Sequence, residues 1–174
     1  MKVALIALCV MIPCHSISAD SSLVHRHHVD TTEAELKALA LQESSGGKNL
    51  KHKRIDHGVQ EGDRAGGYFG LMPKSVQLII KIDPKLRKKY HKWLQASSEA
   101  ITAELNHNRK MDREVAETMW RWLRAEKTLD QTACSWFWGP WSEKCGGTKV
   151  STLHYVQSYH ANYREVLYVD AKNP

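Results

Sequence analysis

Residues 32–47 read TEAELKALALQESSGG, and this stretch decides the fold class. Thr32 and Glu35 have the spacing of a capping box, in which a hydroxyl and a carboxylate satisfy the orphan N–H groups of a helix head. Leu36, Leu39 and Ala40 follow at i, i+3 and i+4, with Glu43 at i+7. Seven residues of α-helix return a side chain to within about 20° of its starting direction, so Glu43 shares the apolar stripe. Ser44-Ser45-Gly46-Gly47 ends the helix. A carboxyl group on a buried face is costly as an anion, so its pKa rises. A general acid working near neutral pH needs that state. The competing reading is a Glu that ends its helix and turns to water. Periodicity alone favours that second reading, because helix ends fray.

Outward from this segment, helical periods continue and no alternating strand pattern is found. Residues 48–67 are basic, Gly-rich and aperiodic: a long loop with room for a short hairpin. Pro73 opens a second helix through Val76, Ile79 and Ile80, and Pro84 a third carrying Leu86, Tyr90, Trp93 and Leu94. Another runs from about Ser98 to Leu105. Asp112 is placed to cap a helix bearing Val115, Ala116, Met119, Trp120 and Leu123. A short helix from about Leu129 to Phe137 meets Gly139-Pro140, and a last one covers about Ser151 to Leu167. The fold expected is mostly α, one compact helical domain over 32–174.

The 174 residues carry 25 Lys and Arg against 19 Asp and Glu, for a net charge of +6. That balance suits polyanions without choosing one. At the N-terminus, Lys2, an apolar run from Val3 to Ile12, Pro13 and a polar stretch ending at Ala19 have the form of a cleaved secretory signal over 1–19. Residues 20–31 then form a flexible arm. Its His25-Arg26-His27-His28 run reads as solvated rather than metal-binding, and no metal or cofactor is expected. No later stretch is apolar enough for a stable membrane anchor, and export to the periplasm or outside the cell counts against a nucleic-acid partner. Cys9 and Cys14 leave with the signal. Cys134 and Cys145 remain, and in an oxidising compartment an even pair is most simply a disulfide. Two free thiols or a metal pair are the alternatives, and the spacing fits no zinc pattern. Six Trp and six Tyr beside two Phe supply flat apolar faces with polar handles. Trp136, Trp138 and Trp141 fall within six residues, and at least one is expected to serve as a sugar platform. Met72, Ile79, Met119 and Trp120 read as core by their spacing. The six cations between Lys81 and Lys92 form a solvated face, with attraction to an anionic polymer as the functional alternative.

Five segments in order carry a resemblance. Leu39-Ala-Leu-Gln-Glu43-Ser-Ser-Gly-Gly resembles the catalytic segment of the soluble lytic transglycosylase family, itself similar to goose-type lysozymes. Gly67-Tyr-Phe-Gly-Leu71-Met72-Pro73-Lys-Ser75-Val resembles that family's Gly-Leu-Met-Gln-Leu-Met-Pro-x-Thr-Ala stretch. Asp112 to Leu123 is similar to its helix ending in Tyr-Leu. Ser135-Trp-Phe-Trp138-Gly139-Pro140-Trp141 stands where the family has Tyr-Asn-Ala-Gly-Pro-Gly, and Thr152-Leu-His-Tyr155-Val156 resembles its Thr-Arg-Asn-Tyr-Val. Together they span about 36–168.

The resemblance implies a lysozyme-like fold and a monomer acting on peptidoglycan glycan strands. Glu43 would be the single general acid and base at the bond between N-acetylmuramic acid and N-acetylglucosamine, giving a 1,6-anhydro product. Ser44, Met72, Trp136, Trp138, Gly139 and Tyr155 would line the substrate, with Tyr155 orienting Glu43. A hydrolytic lysozyme of the same fold acting on modified glycan is the alternative. Two-carboxylate glycosidases need a second acid, for which Asp56, Glu61 and Asp63 are the candidates. Transglycosylases manage with one, so the count does not decide. A catalytically silent wall-binding module and a cationic membrane-active protein are readings of other classes. The pattern departs from the family in a longer, more basic loop between Glu43 and Gly67, in the disulfide expected to staple the aromatic loop between Cys134 and Cys145, and at two motif positions. Gly70 stands where the family has Gln, and Trp136-Phe137-Trp138 replaces Tyr-Asn-Ala, which points to altered substrate choice.

Overall fold

The computed structural model describes residues 31–50, 52, 63–147 and 149–172. The predicted signal segment, most of the arm with its histidines, Asp56 and Glu61 lie outside them. Among the described residues the protein is mostly helical and has no strand beyond one antiparallel bridge, Gly66 to Leu71. Seven α-helices follow in order: α1 Thr31–Ser44, α2 Pro73–Ile82, α3 Pro84–Tyr90, α4 Ser98–His107, α5 Arg109–Arg124, α6 Leu129–Trp138 and α7 His154–Lys172. A 3-10 turn, His91–Gln95, extends α3, and two more lie between α6 and α7. None of these helices is long and apolar enough to cross a membrane.

α5 forms the centre. Met111, Val115, Ala116, Met119, Trp120 and Leu123 repeat every three or four residues, and all are buried. The Trp120 ring meets Trp136 of α6 at 5.7 Å and Tyr159 of α7 at 5.5 Å between centroids. α1 lies along α7. Lys37 pairs with Asp170 at one end and Glu43 with Tyr155 at the other, so the two helices run antiparallel. Asn162 Nδ2 donates to Gln42 Oε1 at 2.8 Å between those contacts.

Several helix ends differ from the sequence reading. Residue 31, assigned to the arm, opens α1, and Thr32 lies inside the helix instead of at its cap. Glu35 turns into the core, where its Oε2 accepts from Trp120 Nε1 at 2.6 Å. A buried indole N–H needs an acceptor, and that need outweighs a local cap. Asp112 is likewise no cap. Asn108 caps α5 by accepting from Met111 N at 3.0 Å, and Asp112 is buried one turn in. Thr128 and Gln131 form the reciprocal capping box, at the head of α6. Trp93 and Leu94 fall in the 3-10 turn after α3, where Gln77 Nε2 bonds their carbonyl oxygens at 3.3 Å. The Cys134–Cys145 disulfide is formed, with Cα atoms 5.5 Å apart, and ties α6 to the loop beyond it.

Candidate active site

Glu43 occupies the last turn of α1, half-buried between α7 and the turn 67–70. The hydroxyl of Tyr155, from the first turn of α7, donates to Glu43 Oε1. Burial raises the Glu43 carboxyl from 4.5 to about 7, against the opposing pull of the Tyr155 hydrogen bond. Desolvation wins because one neutral donor supplies less than water does. With Oε1 accepting from Tyr155, Oε2 is left to carry the acid proton. Burial and the neighbouring carboxylate in turn raise the Tyr155 hydroxyl well above its ordinary value, which keeps it a donor.

The turn 67–70 backs the carboxyl. Gly70 has φ +62°, and a Cβ there would stand 2.5 Å from Glu43 Oε2. Only glycine permits both that backbone and that approach. A Gln at this position, as in the resembling family, would need a different path of the chain. Five groups grip the turn and its flanks. Asp112 Oδ2 accepts from Tyr68 N and Asn106 Oδ1 from Gly67 N, each at 2.8 Å. Ser44 Oγ donates to Tyr68 O at 2.8 Å, and Trp136 Nε1 to Phe69 O at 3.1 Å. His52 Nε2–H donates to Gly67 O at 2.9 Å. Asp112 is fully enclosed; burial raises it to about 7 although the N–H groups of Tyr68 and Phe69 and the Arg109 charge lower it. Its Oδ1 has no hydrogen-bond partner and lies under Gly67, where a Cβ would come within 2.1 Å.

The residues named from sequence divide into three groups. Glu43 and Tyr155 are in contact. Ser44 and Trp136, expected to line the substrate, are buried and hydrogen-bonded to the turn 67–70. Ser44 is buried, and its hydroxyl also accepts from Gly47 N at 2.8 Å, while Trp136 is 9% exposed and packed on Trp120. Both fasten the turn that backs Glu43. Trp138 is 45% exposed, with the Lys144 ammonium over its ring, and Gly139 follows it at φ +94° with open space about its α-carbon. Trp136 and Trp138 differ because i and i+2 on a helix point about 200° apart. Met72 is half-buried at the N-cap of α2. Asp63 precedes the Gly66–Leu71 bridge, and among the described residues its buried Oδ2 has no hydrogen-bond partner and no hydrogen bond joins it to Glu43.

Between Glu43 and the disulfide loop runs an aromatic path. The Tyr155 ring stacks on Phe137 at 4.6 Å, and Phe137 meets Trp138 edge-on at 4.9 Å. Phe137 is 53% exposed despite its size. Sequence reasoning named neither Phe137 nor Gly70 and Asp112 as members of this assembly. The one signal for Gly70 was its standing at the family's Gln position. Comparison with known protein families, curated proteins and solved structures finds no match to this chain.

Proposed function

We propose that this chain is an exported peptidoglycan lytic transglycosylase with Glu43 as its single acid and base. The observation that carries the reading is a half-buried carboxyl group held neutral up to about pH 7, oriented by one hydroxyl and backed by a glycine. Structural carboxylates are ordinarily buried with cations or several donors. The mostly helical fold is compatible with the same reading, and the five resembling segments support it.

The steps balance on one carboxyl group. Neutral Glu43 gives its proton to the glycosidic oxygen, and the bond from C1 of N-acetylmuramic acid to that oxygen breaks. The resulting oxocarbenium-like centre is stabilised by the neighbouring N-acetyl group. Carboxylate Glu43 then removes the proton of the same sugar's C6 hydroxyl as its oxygen closes on C1. The 1,6-anhydro ring forms and Glu43 is neutral again, ready for the next bond. Tyr155 holds the carboxyl in one orientation through both transfers. If water replaces the C6 hydroxyl, the same site is a hydrolase.

Mass spectrometry of fragments released from purified sacculi tests this. The reading predicts muropeptides ending in anhydro sugar, lighter by one water than reducing ends. Reducing ends throughout would make the protein a lysozyme. Binding to sacculi without any release would make it a wall-binding module.

A further inference from the structure

Of the six Trp, Trp120 and Trp136 are buried in the core. Trp122, Trp138 and Trp141 are 38%, 45% and 75% exposed; the first comes from α5 and the other two, three residues apart, from the segment closed by the Cys134–Cys145 disulfide. They converge on one cavity of about 360 Å³, floored by Ile79 and Met119 and edged by Ser75. Trp122 and Trp141 meet edge-to-face at 6.2 Å and 69°. Such a contact covers at most one of the four ring faces. The Lys144 ammonium stands 3.7 Å from the Trp138 centroid and takes one face of that ring. The exposed aromatic surface of this cavity is therefore greatest on Trp141, with Trp138 open on its other face and Trp122 adding its exposed part.

We propose that this cavity is a carbohydrate-binding site, separate from the acid, that holds pyranose rings of the glycan strand through Trp122 and Trp141. It rests on the reading of Glu43 as a glycan-cleaving acid and extends it along the strand. Exposed indoles cost solvation unless something covers them, and a pyranose covers them with its C–H face. The same lining supplies partners for hydroxyl groups: two indole N–H groups and the Ser75 and Ser142 hydroxyls. An apolar floor with a few convergent polar groups is the usual make-up of a small-ligand site. A chain of side-chain contacts links the rim of the cavity to the acid. Trp138, which lines the cavity, meets Phe137, which stacks on Tyr155, which bonds Glu43. A strand cut at Glu43 would run over Phe137 and Trp138 into this cavity.

The test uses the full-length Glu43→Gln protein, labelled at the indole nitrogens, titrated with the β-1,4-linked hexasaccharide of N-acetylglucosamine. Saturating sugar should shift the Trp122 and Trp141 indole signals and leave those of Trp120 and Trp136 in place. Trp141→Ala should weaken binding about fivefold, with unchanged helical circular dichroism. Trp122→Ala should act in the same direction. Unmoved Trp122 and Trp141 signals, or an unchanged affinity in folded Trp141→Ala, would overturn the proposal. The aromatic wall would then be packing, or the seat of a protein partner. Release of wall fragments by the wild type with silent Trp122 and Trp141 overturns this site and leaves the Glu43 reading standing. Shifted signals without any release do the reverse.

Discussion

Glu35 and Glu43 lie eight residues apart on α1, and both carboxyl groups turn inward, yet the fold treats them in opposite ways. Glu35 is almost fully buried. Its Oε2 accepts from Trp120 Nε1 at 2.6 Å and stands 3.4 Å from Arg124 Nε, so its charge is matched by a donor and a cation. Glu43 has the hydroxyl of Tyr155 and no ion pair among the described residues, and burial carries it to about 7. One carboxylate is built into the core with an indole donor and a guanidinium beside it. The other is held as an acid. Depth alone therefore does not separate a structural carboxylate from a chemical one; what it is paired with does.

The sharpest way to break this contrast is to neutralise each member in turn. Glu43→Gln should reduce release of fragments from sacculi by 10²-fold or more, on the order of what a general acid contributes. The variant should keep its fold. Burying an acid whose pKa is raised from 4.5 to about 7 adds stability below the unfolded value, and that stability is lost as pH rises to about 7. Glu43→Gln removes this loss, so thermal melts should show the variant gaining on the wild type from acid to neutral pH. A Glu43→Gln protein with full activity would mean that the acid lies elsewhere.

Glu35→Ala should do the opposite. It leaves the buried Trp120 N–H without an acceptor and strips Arg124 of its partner, costing about 2–4 kcal/mol of stability. A fall in melting temperature is expected at all pH values where the protein folds, with activity per folded molecule near that of the wild type. A stable but inactive Glu35→Ala would reverse the two roles.

A smaller effect should follow from Gly70→Ala. The added methyl meets Glu43 Oε2 at a backbone φ of +62°, so either the turn or the carboxyl must shift. Strain of this kind is worth about 1–3 kcal/mol. Activity should drop roughly tenfold, and the basic limb of the pH–rate profile should move as the carboxyl is displaced. Unchanged kinetics in the folded variant would show that the turn does not position the acid.

The helical character and the place of Glu43 in the last turn of α1 were readable because they depend on neighbours within two turns. The single apolar stripe was too narrow a reading: Ala34, Glu35 and Ala38 lie off it and are buried too. The capping assignments failed at Thr32–Glu35 and at Asp112 for the opposite reason. Both acidic side chains answer to groups far along the chain, Trp120 and the turn at Tyr68, and no local pattern displays that demand. The Tyr155 contact was reachable only by resemblance, since 112 residues separate it from Glu43. The tryptophan cluster could have been sorted further from sequence alone. Once 129–137 is read as helix, Trp136 and Trp138 must point to different sides, so one ring packs and the other is free. Gly70 was noticed as a missing Gln, whereas its role is the space it leaves beside the acid.

The central claim is that Glu43 is an uncharged acid at the pH where the protein works. Carboxyl ¹³C chemical shifts of selectively labelled Glu, assigned through Glu43→Gln and Glu35→Gln, measure it directly. Glu43 is expected to titrate near pH 7, with fragment release falling along the same curve. A Glu43 signal that titrates near 4.5, with activity unaffected by its ionisation, would contradict the account.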